Sequence, residues 1–190
     1  MDYVDPVHLN LNSKFKFRCH KGIKCFTACC SNIEILLTPY DVVRLKKRLG
    51  LSSEEFLEQY TYMKVDDKSS HLYAMLKMND DKEKKCPFLT PEGCTIYTDR
   101  PANCRYYPIG QGVLKKQGKD GPVDEEFYFA VREPHCYGYH EKKQWTVASW
   151  REDQEVDFYD KVNKEWKSLL LRQDLPGRAG LSEKKQMQFY

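Results

Sequence analysis

The sequence predicts a small α+β fold. One domain over residues 1–175 carries short strands, a helical pair near each end and long cysteine-bearing loops, and a polar tail follows over 176–190. Three observations predict it. Apolar residues switch between the two-residue step of strands and the three-to-four-residue step of helices. Helix start signals stand at Thr38-Pro39 and Ser52-Ser53, and helical periodicity runs from Thr146 onward. Pro87, Pro91, Gly93, Pro101 and Pro108 break the stretch that carries Cys86, Cys94 and Cys104, so it is neither one helix nor one strand.

The elements follow in order. Phe15 and Phe17 alternate in a short strand before Cys19, and Ile33, Ile35 and Leu37 step by two in a second. Thr38 as N-cap, Pro39 at the first helical position and Asp41 in the first turn open a helix. It puts Val42, Leu45 and Leu49 on one side and stops at Gly50. Ser52 to Glu55 opens a shorter helix with Phe56, Leu57 and Tyr60. His71 to Met78 reads as a strand, and Asp99 to Arg105 allows one helical turn. Residues 110–124, rich in Gly and Lys, read as a mobile surface loop, and Glu126 to Arg132 as a strand of alternating aromatics. Beyond Thr146, Val156, Tyr159, Asn163, Trp166 and Leu170 recur at helical steps until Pro176-Gly177.

Composition bounds the function. A chain of 190 residues suits one ordinary domain, and 41% apolar with 31% charged residues is globular composition. Lys and Arg number 31 against 28 Asp and Glu, a net +3 too mild for a nucleic-acid or acidic-membrane partner. No apolar run reaches the roughly 18–20 residues of a membrane span. The opening MDYVDPVHLN lacks the charged-then-apolar pattern of a secretory leader. The expected compartment is the reducing cytoplasm, where eight cysteines serve as metal ligands rather than as disulfides.

Those cysteines carry the chemistry. Cys19, Cys25, Cys29 and Cys30 fall within twelve residues at the spacing C-x5-C-x3-C-C, and Cys86, Cys94, Cys104 and Cys136 follow. Thiolates are soft and select zinc, copper(I) or iron–sulfur clusters over hard cations. The C-x2-C knuckle usual in structural zinc occurs nowhere, and no His stands at zinc-finger spacing from the first group. Cys86-Pro87 repeats a pairing of ferredoxin-type runs. These features favour iron–sulfur ligation by all eight thiols, with zinc as the alternative metal. Neighbouring side chains diverge, so Cys29 and Cys30 do not easily share one tetrahedral ion; they can serve two irons of one cluster or two separate centres. Eight thiols suffice for two [4Fe–4S] clusters, and one cluster with the other cysteines as packing residues is equally allowed by the count. Cys25-x3-Cys29 opens like the loop of radical S-adenosylmethionine enzymes, but Asn32 stands at the third position and no eightfold βα alternation follows, which excludes that class.

Plainer readings stand beside these. A lone buried cysteine is most often a small hydrophobe, which suits Cys136 best and the group at 19–30 worst. His20 and His135 adjoin cysteines and read as polar surface outside the ligand set. Arg100 and Arg105 read as anchors of loop carbonyls around Cys104, and Tyr97, Tyr106 and Tyr107 as core.

The run from Cys29-Cys30 to Leu37-Thr38-Pro39-Tyr40-Asp41, CPFL at 86–89, GCTIYTDRPANCRYYP at 93–108 and Cys136-x-Gly138 together resemble the CxxCxxCC family. The likeness covers roughly residues 17–140 and the helices after Thr146, and Tyr97-x2-Arg100-Pro101-x2-Cys104-Arg105 is its most specific part. The family pattern C-x3-C-x2-C-C is here C-x5-C-x3-C-C. The resemblance implies zinc or iron chelation and, for some members, kinship with flagellin lysine methylases.

Three functions are therefore expected. The first is a cytoplasmic iron–sulfur protein with one or two [4Fe–4S] clusters, exchanging electrons with a protein partner. The second is a protein-lysine methyltransferase-like enzyme acting on a substrate protein, and the third a zinc-stabilised interaction module. The first is preferred, because no glycine-rich nucleotide loop follows a strand.

Overall fold

The computed structural model describes residues 7–65, 72–118 and 121–171. Helices and short antiparallel strands are mixed along the chain, the α+β class that the periodicity predicts. The first half holds β1 (Lys14–Lys16), β2 (Leu36–Leu37), α1 (Pro39–Leu49), α2 (Ser53–Tyr60), β3 (Thr61–Val65) and β4 (Leu72–Leu76). Next come β5 (Leu89–Thr90), β6 (Gly93–Cys94), α3 (Ala102–Tyr106), β7 (Ile109–Gly118) and β8 (Gly121–Ala130). The chain closes with β9 (Gln144–Thr146), α4 (Val147–Asp153) and α5 (Val156–Leu171). His71 and the tail at 176–190 lie outside the described residues.

The chain divides into two compact units interleaved in sequence. One is Met1–Cys29 with Arg105–Val156; the other is Cys30–Cys104 with Asp157–Tyr190. The chain passes from one unit to the other between Cys29 and Cys30, and again after Cys104.

In the first unit β1 pairs antiparallel with β9, Phe15 opposite Trp145. The alternation of Phe15 and Phe17 turns both rings inward, onto a core with Ile109, Tyr128, Val147 and Trp150. Phe17 stands edge-on to Tyr107, Tyr139 and Trp150, the geometry that ring quadrupoles favour. Strand β9 is too short to announce itself in sequence.

The segment 110–124, expected as a surface loop, is instead most of a long hairpin, with β7 and β8 paired from Ile109↔Ala130 to Gly118↔Gly121. Its glycines explain the difference. Gly110 faces Phe129 and Gly112 faces Phe127 across the ladder, and a Cβ at either glycine would lie within 2.2–2.5 Å of the opposing ring. Each aromatic ring covers a bare strand position, so glycine here makes room for a cross-strand neighbour instead of breaking the strand.

In the second unit β2, β4 and β3 form an antiparallel sheet in that order. Ile35, Leu37, Val42, Leu45, Phe56, Ala74, Leu76, Cys86, Phe88 and Ile96 make its core. Both early helices begin with reciprocal capping boxes, Thr38 with Asp41 and Ser52 with Glu55. Helix α1 ends at Gly50, whose φ of 70° is the left-handed turn that glycine adopts freely. On α5, Val156, Tyr159 and Asn163 are buried as the helical stripe predicts.

Asp41 does more than cap a helix. It is fully buried; one carboxylate oxygen accepts from the Thr38 N–H at 2.8 Å and the other from the Ala102 N–H at 2.9 Å. One side chain thus ties the start of α1 to the start of α3, the turn that presents Cys104. Asp41→Ala leaves two buried donors unpaired and is expected to lower unfolding free energy by about 3 kcal/mol. Thr38→Ala, which removes one cap acceptor, should lose about 1 kcal/mol, both read by urea denaturation.

Candidate metal centres

The order of the cysteines suggests Cys19–Cys30 as one group and Cys86–Cys136 as the other. The fold divides them differently. Cys19, Cys25, Cys29 and Cys136 belong to the first unit, and Cys30, Cys86, Cys94 and Cys104 to the second. None of the eight forms a disulfide.

In the first set, Cys19 follows β1 directly. The Phe17 N–H donates to the Lys143 carbonyl at 2.9 Å and the Arg18 N–H to the Gly138 carbonyl at 3.1 Å, which lays this segment along residues 138–143. Tight turns closed by Ile23 to His20, Phe26 to Ile23 and Ala28 to Cys25 then fold Cys25 and Cys29 back. The Tyr137 N–H donates to Cys25 Sγ at 3.1 Å, joining the two ends of the set. Burial pushes the Cys19 thiol up to about 11, and repulsion from Cys29, Cys25 and Cys136 adds to it. Cys136 is raised by burial and by Cys25 and Cys29, while Tyr107 and the Gly138 N–H oppose the rise.

The second set sits against the core of its own unit: Cys86 is part of that core, and Cys30, Cys94 and Cys104 pack on it. The Cys86 N–H donates to the Cys30 carbonyl at 2.9 Å, beside a bridge between Ser31 and Lys85. Cys94 ends the small β5–β6 hairpin, opposite Leu89. Burial drives the Cys86 thiol up to about 11, with Cys94 adding to it. Cys104 is raised furthest, by burial and then by Cys86, Cys94 and Asp41, with the Arg100 guanidinium opposing.

One local device recurs in both sets. The backbone N–H two residues after the cysteine points at its sulfur: Phe88 for Cys86, Ile96 for Cys94 and Gly138 for Cys136. Such donors favour the thiolate over the thiol. Each unit thus carries four cysteines, soft sulfur donors of the kind that thiophilic metals take. Among the described residues no three His, Cys, Asp or Glu side chains are packed closely enough to grip a single ion.

A family profile described as "Putative zinc- or iron-chelating domain" matches residues 18–137. The chain belongs to the CxxCxxCC family. No curated protein and no solved structure matches it, and the family match does not extend to a relation with flagellin lysine methylases. Membership supports metal binding by this cysteine-rich chain, with zinc and iron both within the family's description. Among the described residues no helix is long and apolar enough to cross a membrane.

The other residues of the family segment find structural work. Arg100 is buried, donates from Nη1 to the Tyr97 carbonyl at 2.6 Å and lies 4.0 Å over the Tyr97 ring. Arg105, 1% exposed, donates to the Gln154 carbonyl at 3.0 Å and pairs with Glu155 at 2.8 Å. Both arginines therefore anchor carbonyls, as expected. Tyr97 departs from expectation: it is 57% exposed, because its ring serves as the outer face of the Arg100 stack and not as core. His20 and His135 are otherwise engaged, His20 accepting from the Gly22 N–H at 3.1 Å and each facing a glutamate at 3.5 Å. Sequence reasoning missed Asp41 as a clamp on the Cys104 segment, and only its place in a capping box hints at it.

Gly138 is the tightest point of the first set. A Cβ there would lie 2.6 Å from the Phe17 ring, a ring held on three sides by aromatics. Gly138→Ala is expected to displace the Cys136 turn and to cost the chain about half of its bound metal, measured by elemental analysis against the unchanged chain.

Proposed function

We propose that this chain is an iron–sulfur protein holding two [4Fe–4S] clusters. Cys19, Cys25, Cys29 and Cys136 would hold one, and Cys30, Cys86, Cys94 and Cys104 the other. It would work in the cytoplasm, in electron transfer with a protein partner. The observation that carries this reading is the sorting of eight thiols into two all-sulfur sets of four, one in each compact unit. Cys29 and Cys30 fall on opposite sides of that division, which supports their serving separate centres. When bound, each cluster would supply a one-electron reservoir whose potential is set by charge, hydrogen bonds to sulfur and exposure.

The chain's own residues prepare for it. Backbone N–H groups at Phe88, Ile96 and Gly138 oppose the rise that burial imposes on Cys86, Cys94 and Cys136 and favour the thiolate that a metal would take. The buried Arg100 guanidinium offsets negative charge at Cys94 and Cys104. Irregular loops that supply little core are stabilised when ligation closes them.

Protein purified without oxygen is expected to be brown and to contain about eight irons and about eight acid-labile sulfides per chain. About four of each would reduce the proposal to one cluster. Zinc without sulfide would overturn it in favour of a zinc-stabilised module.

A further inference from the structure

Among the described residues of the first unit, three buried polar atoms lack a hydrogen-bond partner: His20 Nε2, the Tyr107 hydroxyl and one carboxylate oxygen of Glu133. The Tyr107 side chain interacts with the Cys136 thiol and with the Glu133 carboxylate, and Glu133 also faces His135 at 3.5 Å. A buried hydroxyl without a well-formed hydrogen bond is uncommon in a folded chain and calls for an explanation. The Tyr107 ring is not free to move away. It packs on the core of its unit and stands 6.0 Å from the Phe17 ring, at 77°. Cys136 is fixed too, its N–H donating to the Glu133 carbonyl at 2.9 Å.

A neutral thiol is a weak hydrogen-bond acceptor, whereas a metal-bound thiolate is a charged and much better one. We infer that Tyr107 is a positioning residue of the first centre, its hydroxyl donating to the metal-bound Cys136 sulfur with the Glu133 carboxylate as the competing acceptor. The bond orients the ligand sulfur, withdraws electron density from it, and so favours the more negative, reduced state of the centre. In the second set it is the Arg100 guanidinium that faces Cys94 and Cys104. The inference rests on the metal-centre reading above, but it holds for whichever thiophilic metal is bound.

Tyr107→Phe removes only the hydroxyl and leaves the packed ring. In the metal-loaded full-length chain challenged with a chelator, half of the metal is expected to leave about tenfold more readily than in the unchanged protein. The other half should leave as before. If the centres are iron–sulfur, one of two reduction steps should shift about tenfold toward the oxidised state, close to 59 mV for one electron. Glu133→Gln removes the charged competitor and should shift the same step the other way. Unchanged metal retention and unchanged potentials in Tyr107→Phe would overturn the inference, as would equal loss from both halves. Zinc without sulfide would sink the electron-transfer reading while metal retention still decides the role of Tyr107.

Discussion

The constraint on which this structure depends is the placing of thiols beside thiols, Cys86 buried, Cys19 exposed and the others half-buried. Cys19, Cys86 and Cys104 are all held well above the ordinary cysteine range by burial, and their neighbouring sulfurs add to it. A protein gains little by gathering four such groups as packing, because each replaces a better hydrophobe. A cation of suitable softness reverses the sign of every one of these effects, turning mutual repulsion into shared ligation. The backbone donors at Phe88, Ile96 and Gly138 act in the same direction.

The two sets are supported by different means. The second is built onto an apolar core and braced by Asp41, which links the start of α1 to the start of α3. The first hangs from the edge of a small sheet, β1 with β9, and from the close approach of Gly138 to Phe17. With fewer apolar contacts of its own, it relies more on turns and on the Tyr137 N–H that reaches Cys25. An interaction as small as one tyrosine hydroxyl therefore weighs more at the first set than at the second.

Much of the scaffold was legible in the sequence because its signals are local. Thr38, Pro39 and Asp41 announce a helix start by chemistry confined to four residues, and Gly50 its end. The alternation of Phe15 and Phe17 declares a buried face. The β7–β8 hairpin was not legible, since Gly110 and Gly112 read as loop until the rings opposite them are known. The eight cysteines stand out in the sequence as soft donors; their partition between the units does not. Proximity in sequence joins Cys29 to Cys30 and separates Cys29 from Cys136, yet the fold does the reverse, because chain crossings between units leave no mark in local periodicity. Asp41 and Tyr107 were visible only as a cap and an aromatic, their second roles being set by residues 61 positions away in one case and by a buried orphan atom in the other.

The most direct test of this account compares the metal bound by two double variants of the full-length chain. Cys29→Ser with Cys136→Ser strikes one set twice and should leave about half of the metal in place. Cys29→Ser with Cys30→Ser strikes each set once and should remove nearly all of it. The opposite pattern, with half retained by the adjacent pair and none by the distant one, would show that sequence neighbours share a centre and would contradict the partition on which the account rests.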